Sequence, residues 1–424
     1  MRIGESAECS KSELDLFSIP PTQTSVEEGF FDDLPAQANF DSSSTIRIDI
    51  TGDSGHYINL AETEIHISGY FCKKGDTEIA NTTKIGIVNN LLGSLFKQAE
   101  ISINNKTVEN TNSTLPFRDY IVKTLGLSAS EKVSQLAGNI YSKDTPERFN
   151  SFLIGANEAK NNGWMTRRAL IHDKNPIQLQ GKLSCDIFNL DHIMVNNVTI
   201  SLKLTKSDPK FYMLGDGAAD HYFKYEDVFL RVKRHVISPS VMEAHALTAE
   251  VAAFKYPLTR MIVKPFVIPH ASTKYTITKI CEGVMPTRVI CGFLKTSAFD
   301  GAYAENPYDF QNLGLQEIIL KLNSRSLPNS SGIVMDYPHK ILDGYRSLAK
   351  LTRDLDLTLD EYRNGYSLYS FDLNPDIASN SHYSSLKDGQ IDLEIKLKTA
   401  LDTSHTLVVL AVYKNVIQTS PTRI

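Results

Sequence analysis

Apolar and polar residues alternate with a period of two along most of this chain. Ile46, Ile48 and Ile50 are interleaved with Arg47 and Asp49, and Ile65 and Ile67 with Glu64, His66 and Ser68. Ile200, Leu202 and Leu204 alternate with Ser201 and Lys203, and Ile391, Leu393, Ile395 and Leu397 with Asp392, Glu394 and Lys396, ahead of the apolar run Leu407 to Val412. This spacing puts one face on a core and the other in water, so it predicts strands of antiparallel sheets. Roughly sixteen such segments fit the chain. Helical signals are short, but their caps are legible. Ser128 with Glu131 forms a capping box, Ser238-Pro239 sets a cap and a first-turn proline before Val241 to Val251, and Thr358 with Glu361 repeats the box with Gly365 as a stop. The strand-helix rhythm of a doubly wound nucleotide-binding fold is missing.

The 424 residues suffice for roughly two or three domains. Residues 1–40 carry few periodic apolar positions, and Pro20-Pro21 is followed by Glu27, Glu28, Asp32 and Asp33, which predicts an extended N-terminal arm. Turn residues crowd between Lys206 and Asp220, at the midpoint. The boundaries expected are a first sandwich over 41–207, a linker over 208–220, and a second sandwich with a C-terminal tail over 221–424. A weak repeat spans the linker: Ile101-x-Ile103-Asn104-Asn105-Lys106-x-Val108 echoes Leu320-x-Leu322-Asn323-Ser324-Arg325-x-Leu327. Gly181 to Ile187 likewise resembles Gly389 to Ile395, each followed by an apolar strand at Val198 to Leu204 and Thr406 to Tyr413. Two matches in the same order point to a tandem duplication. The fold class expected is all-β: two tandem eight-stranded jelly-roll β-sandwiches, a double jelly roll, with short helices in loops. Strand number alone does not separate a jelly roll from other sandwiches.

The 44 Lys and Arg against 49 Asp and Glu leave a net charge of −5, and 42% of residues are hydrophobic, so a globular protein with real cores is expected and a disordered chain is excluded. No window of 18 apolar residues occurs and Met1 to Ser6 open no apolar run, so neither membrane insertion nor secretion by a signal peptide is expected. Cys9, Cys72, Cys185, Cys281 and Cys291 are scattered without a C-x-x-C, which reads as buried reduced thiols rather than a disulfide framework or zinc site.

No catalytic, cofactor-binding or metal-binding residue is assigned. There is no P-loop, G-x-S-x-G, H-E-x-x-H, or G-x-G-x-x-G opening a helix. The eleven histidines, among them His66 on the polar phase of its strand, lack metal-ligand spacing. Asp372-Leu373-Asn374-Pro375-Asp376 imitates half a calcium loop, but Ile377 and Tyr383 stand where glycine and glutamate are needed. Arg231, Lys233, Arg234 and His235, and the pair Arg167-Arg168, are the densest basic spots; in an acidic chain they read as solvated strand faces or subunit contacts, with no sequence-specific nucleic-acid binding expected. Tyr362, Tyr366, Tyr369, Phe371 and Tyr383, and Phe299, Tyr303, Tyr308 and Phe310, lie among loop residues and suit a protein interface or a carbohydrate platform.

Several longer strings carry a resemblance. They are Ser12 to Ser25 in the arm, Val88-Asn89-Asn90-Leu91-Leu92-Gly93-Ser94-Leu95-Phe96, Pro116-Phe117-Arg118-Asp119-Tyr120-Ile121, and Val236 to Val241 with Ala244-His245-Ala246. Lys255-Tyr256-Pro257, Ala298 to Tyr303 with Asn306-Pro307-Tyr308-Asp309-Phe310, and Gly365 to Leu373 follow. In these the chain resembles, nearly end to end, the major capsid protein of the Polinton (Maverick) elements and adintoviruses. The departures, Ser142 to Asn162 and Pro328 to Pro338, fall in loops and leave the outer surface unspecified. The resemblance implies a double jelly-roll major capsid protein of a double-stranded DNA virus or element. Three copies would form a homotrimer of pseudo-hexagonal outline that tiles an icosahedral capsid. Penton and minor capsid proteins are the expected partners, the virion is the expected location, and assembly is expected in host cytoplasm or nucleus. It implies no enzyme activity and no cofactor. The arm is expected to order on a neighbouring copy during assembly. The alternative kept open is a tandem β-sandwich module that binds carbohydrate or a receptor; a cupin-type enzyme would need clustered His and carboxylate ligands.

Overall fold

The computed structural model describes residues 12–155, 158–350, 354–374, 383–385 and 387–419. Cys9, His382, and Pro375 to Ile377 of the calcium-like string lie outside the described residues. The first half contains β1 (Val26–Pro35), β2 (Thr45–Ile50), β3 (His56–Lys73), β4 (Ile85–Ile87), β5 (Phe96–Ile103), β6 (Lys106–Asn110), β7 (Ile177–Gly181), β8 (Ile200–Lys206), β9 (Met213–Gly215) and β10 (His221–Ile237). One sheet runs β1-β10-β3-β7 and its partner β2-β8-β5-β6, all antiparallel, while β4 and β9 form a small separate pair.

The second half contains β11 (Phe254–Ile268), β12 (Lys274–Val284), β13 (Arg288–Lys295), β14 (Leu315–Leu322), β15 (Arg325–Leu327), β16 (Ile333–Val334), β17 (Leu368–Asp372), β18 (Asp388–Leu397) and β19 (His405–Thr419). Its sheets run β11-β19-β13-β17 and β12-β18-β14-β15, with β16 added to β14. With β4, β9 and β16 set aside, each half has the same order: strands one, eight, three and six in one sheet, and two, seven, four and five in the other. That is the jelly-roll order, realised twice. The alternating residues point inward as expected: Ile46, Ile48 and Ile50, and Ile391, Leu393, Ile395 and Leu397, are all buried. One continuous hydrophobic cluster runs through both sandwiches.

Strand pairing moves the boundaries read from sequence. Residues 221–237, expected to open the second sandwich, form the eighth strand of the first, paired with β3 from His221↔Lys73 to Val236↔His56. Residues 26–35, expected in a free arm, form its first strand, with Phe30 opposite Arg234. The stretch 208–220 is structured rather than a linker, since β9 lies buried against β4. The connection between the sandwiches is therefore 238–253. Of the two internal matches, the first is sound, because β5-β6 and β14-β15 are the fourth and fifth strands of their halves. The second is not. Gly389 to Ile395 lies in the seventh strand, whereas Gly181 to Ile187 leaves the sixth and enters a 3-10 turn at Asp186–Asn189.

Helices sit between strands. They are α1 (Leu91–Ser94), α2 (Leu115–Gly126), α3 (Ala129–Ser134), α4 (Asn162–Arg168), α5 (Pro209–Tyr212), α6 (Pro239–Ala249), α7 (Thr296–Asp300), α8 (Leu342–Ala349) and α9 (Leu359–Arg363). Both capping boxes form, Ser128 with Glu131 on α3 and Thr358 with Glu361 on α9. Gly365, just past α9, has φ 118°, and a Cβ there would strike the Phe149 ring, so glycine is required. Ser238 makes no side-chain cap on α6, but Pro239 occupies its first turn.

Candidate functional site

The chain's most elaborate polar and aromatic arrangement lies where the two jelly rolls meet. Helix α2 supplies one wall. Its Phe117 stacks on Phe299 at 4.7 Å, and Tyr120 on Tyr308 at 4.0 Å with the planes 4° apart, both partners coming from the second jelly roll. The Tyr308 hydroxyl lies 2.6 Å from Ser94 Oγ, so the buried phenol is satisfied across the same boundary. Between these aromatic residues Arg118, 3% exposed, binds Glu109 at 2.9 Å, Asp186 at 2.5 Å and the Met261 carbonyl at 3.1 Å. Asp186 in turn accepts the Met261 N–H at 3.1 Å, which ties β11 to the first jelly roll.

A second buried hub is Asp144. Its carboxylate takes Arg167 at 2.5 Å, Asn161 at 2.7 Å and Asn306 at 3.2 Å, and its carbonyl accepts the Tyr366 hydroxyl at 3.0 Å. Arg167 is fully buried and also donates to the carbonyls of Ile87 and Ser142. Lys143 reaches Glu361 at 2.9 Å and Asp356 at 3.3 Å, and Lys132 reaches Asp356 at 3.2 Å. Asp309 accepts from Asn150 and Gln311, and burial pushes its carboxyl up to about 6. Ser142, Lys143, Asp144, Asn150 and Asn161, from the segment where the family resemblance lapses, are thus part of the junction.

This placement corrects three readings. Tyr308, Phe310, Tyr362, Tyr366, Tyr369 and Phe371 are buried inside the chain, so they offer no sugar-binding platform; of those clusters only Tyr383 is largely exposed. Arg167 and Arg168 are not solvated: Arg168 binds the carbonyls of Thr83 and Asn81. Arg234 is buried and paired within the chain, whereas Arg231 keeps a partly solvated strand face while pairing within the chain as well. Arg231 makes a two-pronged pair with Asp33 at 2.7 Å, Arg234 binds Asp32 at 2.8 Å and Asp53 at 3.3 Å, and Lys233 sits over the Phe31 ring at 4.3 Å. The acidic arm and the basic strand, conspicuous separately in the sequence, hold β1 onto β10. His66 packs flat on Phe229 at 4.6 Å, and burial lowers its pKa.

Cys72, Cys185, Cys281 and Cys291 are buried free thiols. Among the described residues no group of three or more His, Cys, Asp or Glu side chains could hold a metal ion, and no helix is long and apolar enough to cross a membrane. Arg118, Asp144 and Arg167 were not singled out in the sequence as a charge network. The available signal was an arginine and a carboxylate inside otherwise apolar strings, as in Pro116-Phe117-Arg118-Asp119-Tyr120.

The strand order, made twice and welded by this junction, defines the class: a double jelly-roll protein. No protein-family model matches the chain. Its architecture is similar to a chain of the Sputnik virophage (TM-score 0.63, 10% identity, covering 98% of this chain and 92% of that one). It is also similar to the mavirus major capsid protein (TM-score 0.56, 9% identity, 99% and 95% covered) and the Faustovirus major capsid protein (TM-score 0.55, 7% identity, 95% and 92% covered). In sequence it is 19% identical over 399 residues to the uncharacterized protein F54H12.2 of Caenorhabditis elegans, covering 90% of this chain and 92% of that protein. The fold is therefore that of viral double jelly-roll capsid proteins, the architecture implied by the resemblance to Polinton and adintovirus capsid proteins.

Proposed function

We propose that this protein is a major capsid protein, a structural subunit that acts by self-assembly and not by catalysis. The observation that carries this reading is the union of two jelly rolls of one strand order through a buried aromatic and ionic junction. Two similar sandwiches fixed in one chain let three chains approximate sixfold packing under closed threefold symmetry. The building block proposed is a homotrimer, and the product is an icosahedral shell around a double-stranded DNA genome. Penton and minor capsid proteins complete the shell, and the protein resides in the virion after assembly in the host cytoplasm or nucleus.

The carbohydrate-module alternative loses its main support, because Tyr308, Phe310, Tyr362, Tyr366, Tyr369 and Phe371 are buried within the chain. Light scattering of the purified protein, with negative-stain imaging of the main species, tests the proposal. A particle of three times the 47.3 kDa chain mass with a hexagonal outline, or closed shells, is expected. A stable monomer at micromolar concentration that forms no closed oligomer would overturn it.

A further inference from the structure

Among the described residues, two exposed apolar surfaces begin at the same point. Before β1, the segment Leu14 to Ile19 holds Leu14, Leu16, Phe17 and Ile19 at 71, 77, 99 and 86% exposure, and none packs on the core. After β10, helix α6 turns Val241 and Met242 toward the core, and its His245 touches Tyr57 at 2.9 Å. Its outward side carries Ala244 and Leu247, and Val251 follows in the turn just past its C-terminus, with Leu247 60% and Val251 86% exposed. The Ser238 N–H donates to the Ser25 carbonyl at 3.0 Å, so the segment and the helix leave the sheet side by side.

The exit of the segment is set. The Gln23 side-chain amide bonds both the N–H and the carbonyl of Val26, and Pro20-Pro21 keeps the next residues extended. In this course the chain leaves its own α6 uncovered. From Ser25 back to Leu14 the segment spans up to about 36 Å, and α6 is about 16 Å long, so one segment can cross a subunit boundary and still lie along a whole helix. A chain that self-associates brings many such segments and helices together, each apolar and each lacking cover.

From this we infer that the Leu14–Ile19 segment of one copy docks on the outward patch formed by Ala244 and Leu247 of α6 and Val251 of the turn that follows it, in a second copy. The inference rests on the assembly reading above and names a contact that would hold copies together. Leu14, Phe17 and Ile19 supply the apolar anchors; Pro20-Pro21 supplies the stiff spacer.

The test uses full chains with Cys9→Ser, since the other four cysteines are buried. Ser18→Cys is placed on a chain with one tag and Thr248→Cys on a chain with another, which leaves every apolar anchor intact, and the two are co-expressed. Crosslinking between differently tagged chains is the expected result. A link that forms only within one chain carrying both substitutions would overturn the inference, as would oligomers that form without any link. A second variant, Leu247→Asp with Val251→Asp, should weaken self-association roughly ten- to hundredfold while leaving the melting temperature of the chain unchanged, because both side chains are exposed. Unchanged assembly of that variant refutes the docking and leaves the capsid reading standing; a wild-type protein that stays monomeric refutes both.

Discussion

Tyr120 and Tyr308 lie face to face with ring centroids 4.0 Å apart, although one belongs to the first jelly roll and the other to the second. Both are fully buried, and burial raises both phenol pKa values far above their ordinary range. Tyr308→Ala is expected to cost about 3–5 kcal/mol, the usual range for removing a large buried aromatic. Tyr308→Phe should cost about 1 kcal/mol, the bond to Ser94. Calorimetry decides it: if the rings couple the halves, the alanine variant melts earlier and its single transition broadens or splits, and an unchanged melt would contradict the assignment.

Arg118→Ala should be severe. It would strand Glu109 and Asp186, 6 and 3% exposed, without their shared cation, and breaking such a buried network costs about 3–5 kcal/mol. Arg118→Lys should recover only part of the loss, because one ammonium does not reproduce the planar fork that meets two carboxylates and the Met261 carbonyl together. Urea unfolding of the three proteins gives the ranking; equal stability of the lysine variant and wild type would contradict it.

Asp309 makes the junction sensitive to pH. Burial raises its carboxyl to about 6, above the value near 4 of an unfolded chain, so the folded state holds the proton more tightly. Its contribution to stability is complete below about pH 4 and is lost as pH rises through about 6. Asp309→Asn is expected to stabilise the protein by about 1–3 kcal/mol at neutral pH and to flatten this part of the pH dependence. Melting temperatures between pH 4 and 8 for both proteins check this, and parallel curves would refute it.

The strap β1 titrates with the opposite sign. The hydrogen bond from Arg231 holds Asp33 below its ordinary value; at Asp53, which lies between β2 and β3 and reaches the strap through Arg234, burial acts upward, but bonds from His56 and the Gly55 N–H outweigh it. Stability from both is present above the ordinary carboxylate range and is lost as pH falls through their lowered values. Hydrogen exchange of residues 26–35 should therefore quicken below about pH 4 ahead of the rest of its sheet. Arg234→Ala, which removes a 4% exposed side chain bonded to Asp32, Asp53 and the Thr51 carbonyl, should cost about 2–3 kcal/mol, whereas Arg231→Ala, at the more open end of the strap, should cost clearly less. Exchange of β1 no faster than that of β3 at low pH would contradict the strap.

The sequence by itself determined the local layer of this protein. Period-two alternation at Ile46–Ile50 and Ile391–Leu397 decides which side chains face inward, and Ser128 with Glu131 and Thr358 with Glu361 decide where helices start, since each depends only on neighbours along the chain. The longer strings, from Val88 to Phe96 and from Asn306 to Phe310, carried the double jelly roll as well. Only the tertiary structure decided partners. Alternation is the same whichever strand lies alongside, so nothing local could say that Val26–Pro35 and His221–Ile237, some 200 residues apart, pair within one sheet and shift the boundary between the sandwiches to 238–253. Nor could composition tell a solvated arginine from a buried one. Arg167 and Arg118 are inside because Asp144, Asp186 and the β6 residue Glu109 converge on them in space, and Tyr308 and Tyr366 are hidden because two sandwiches close on them.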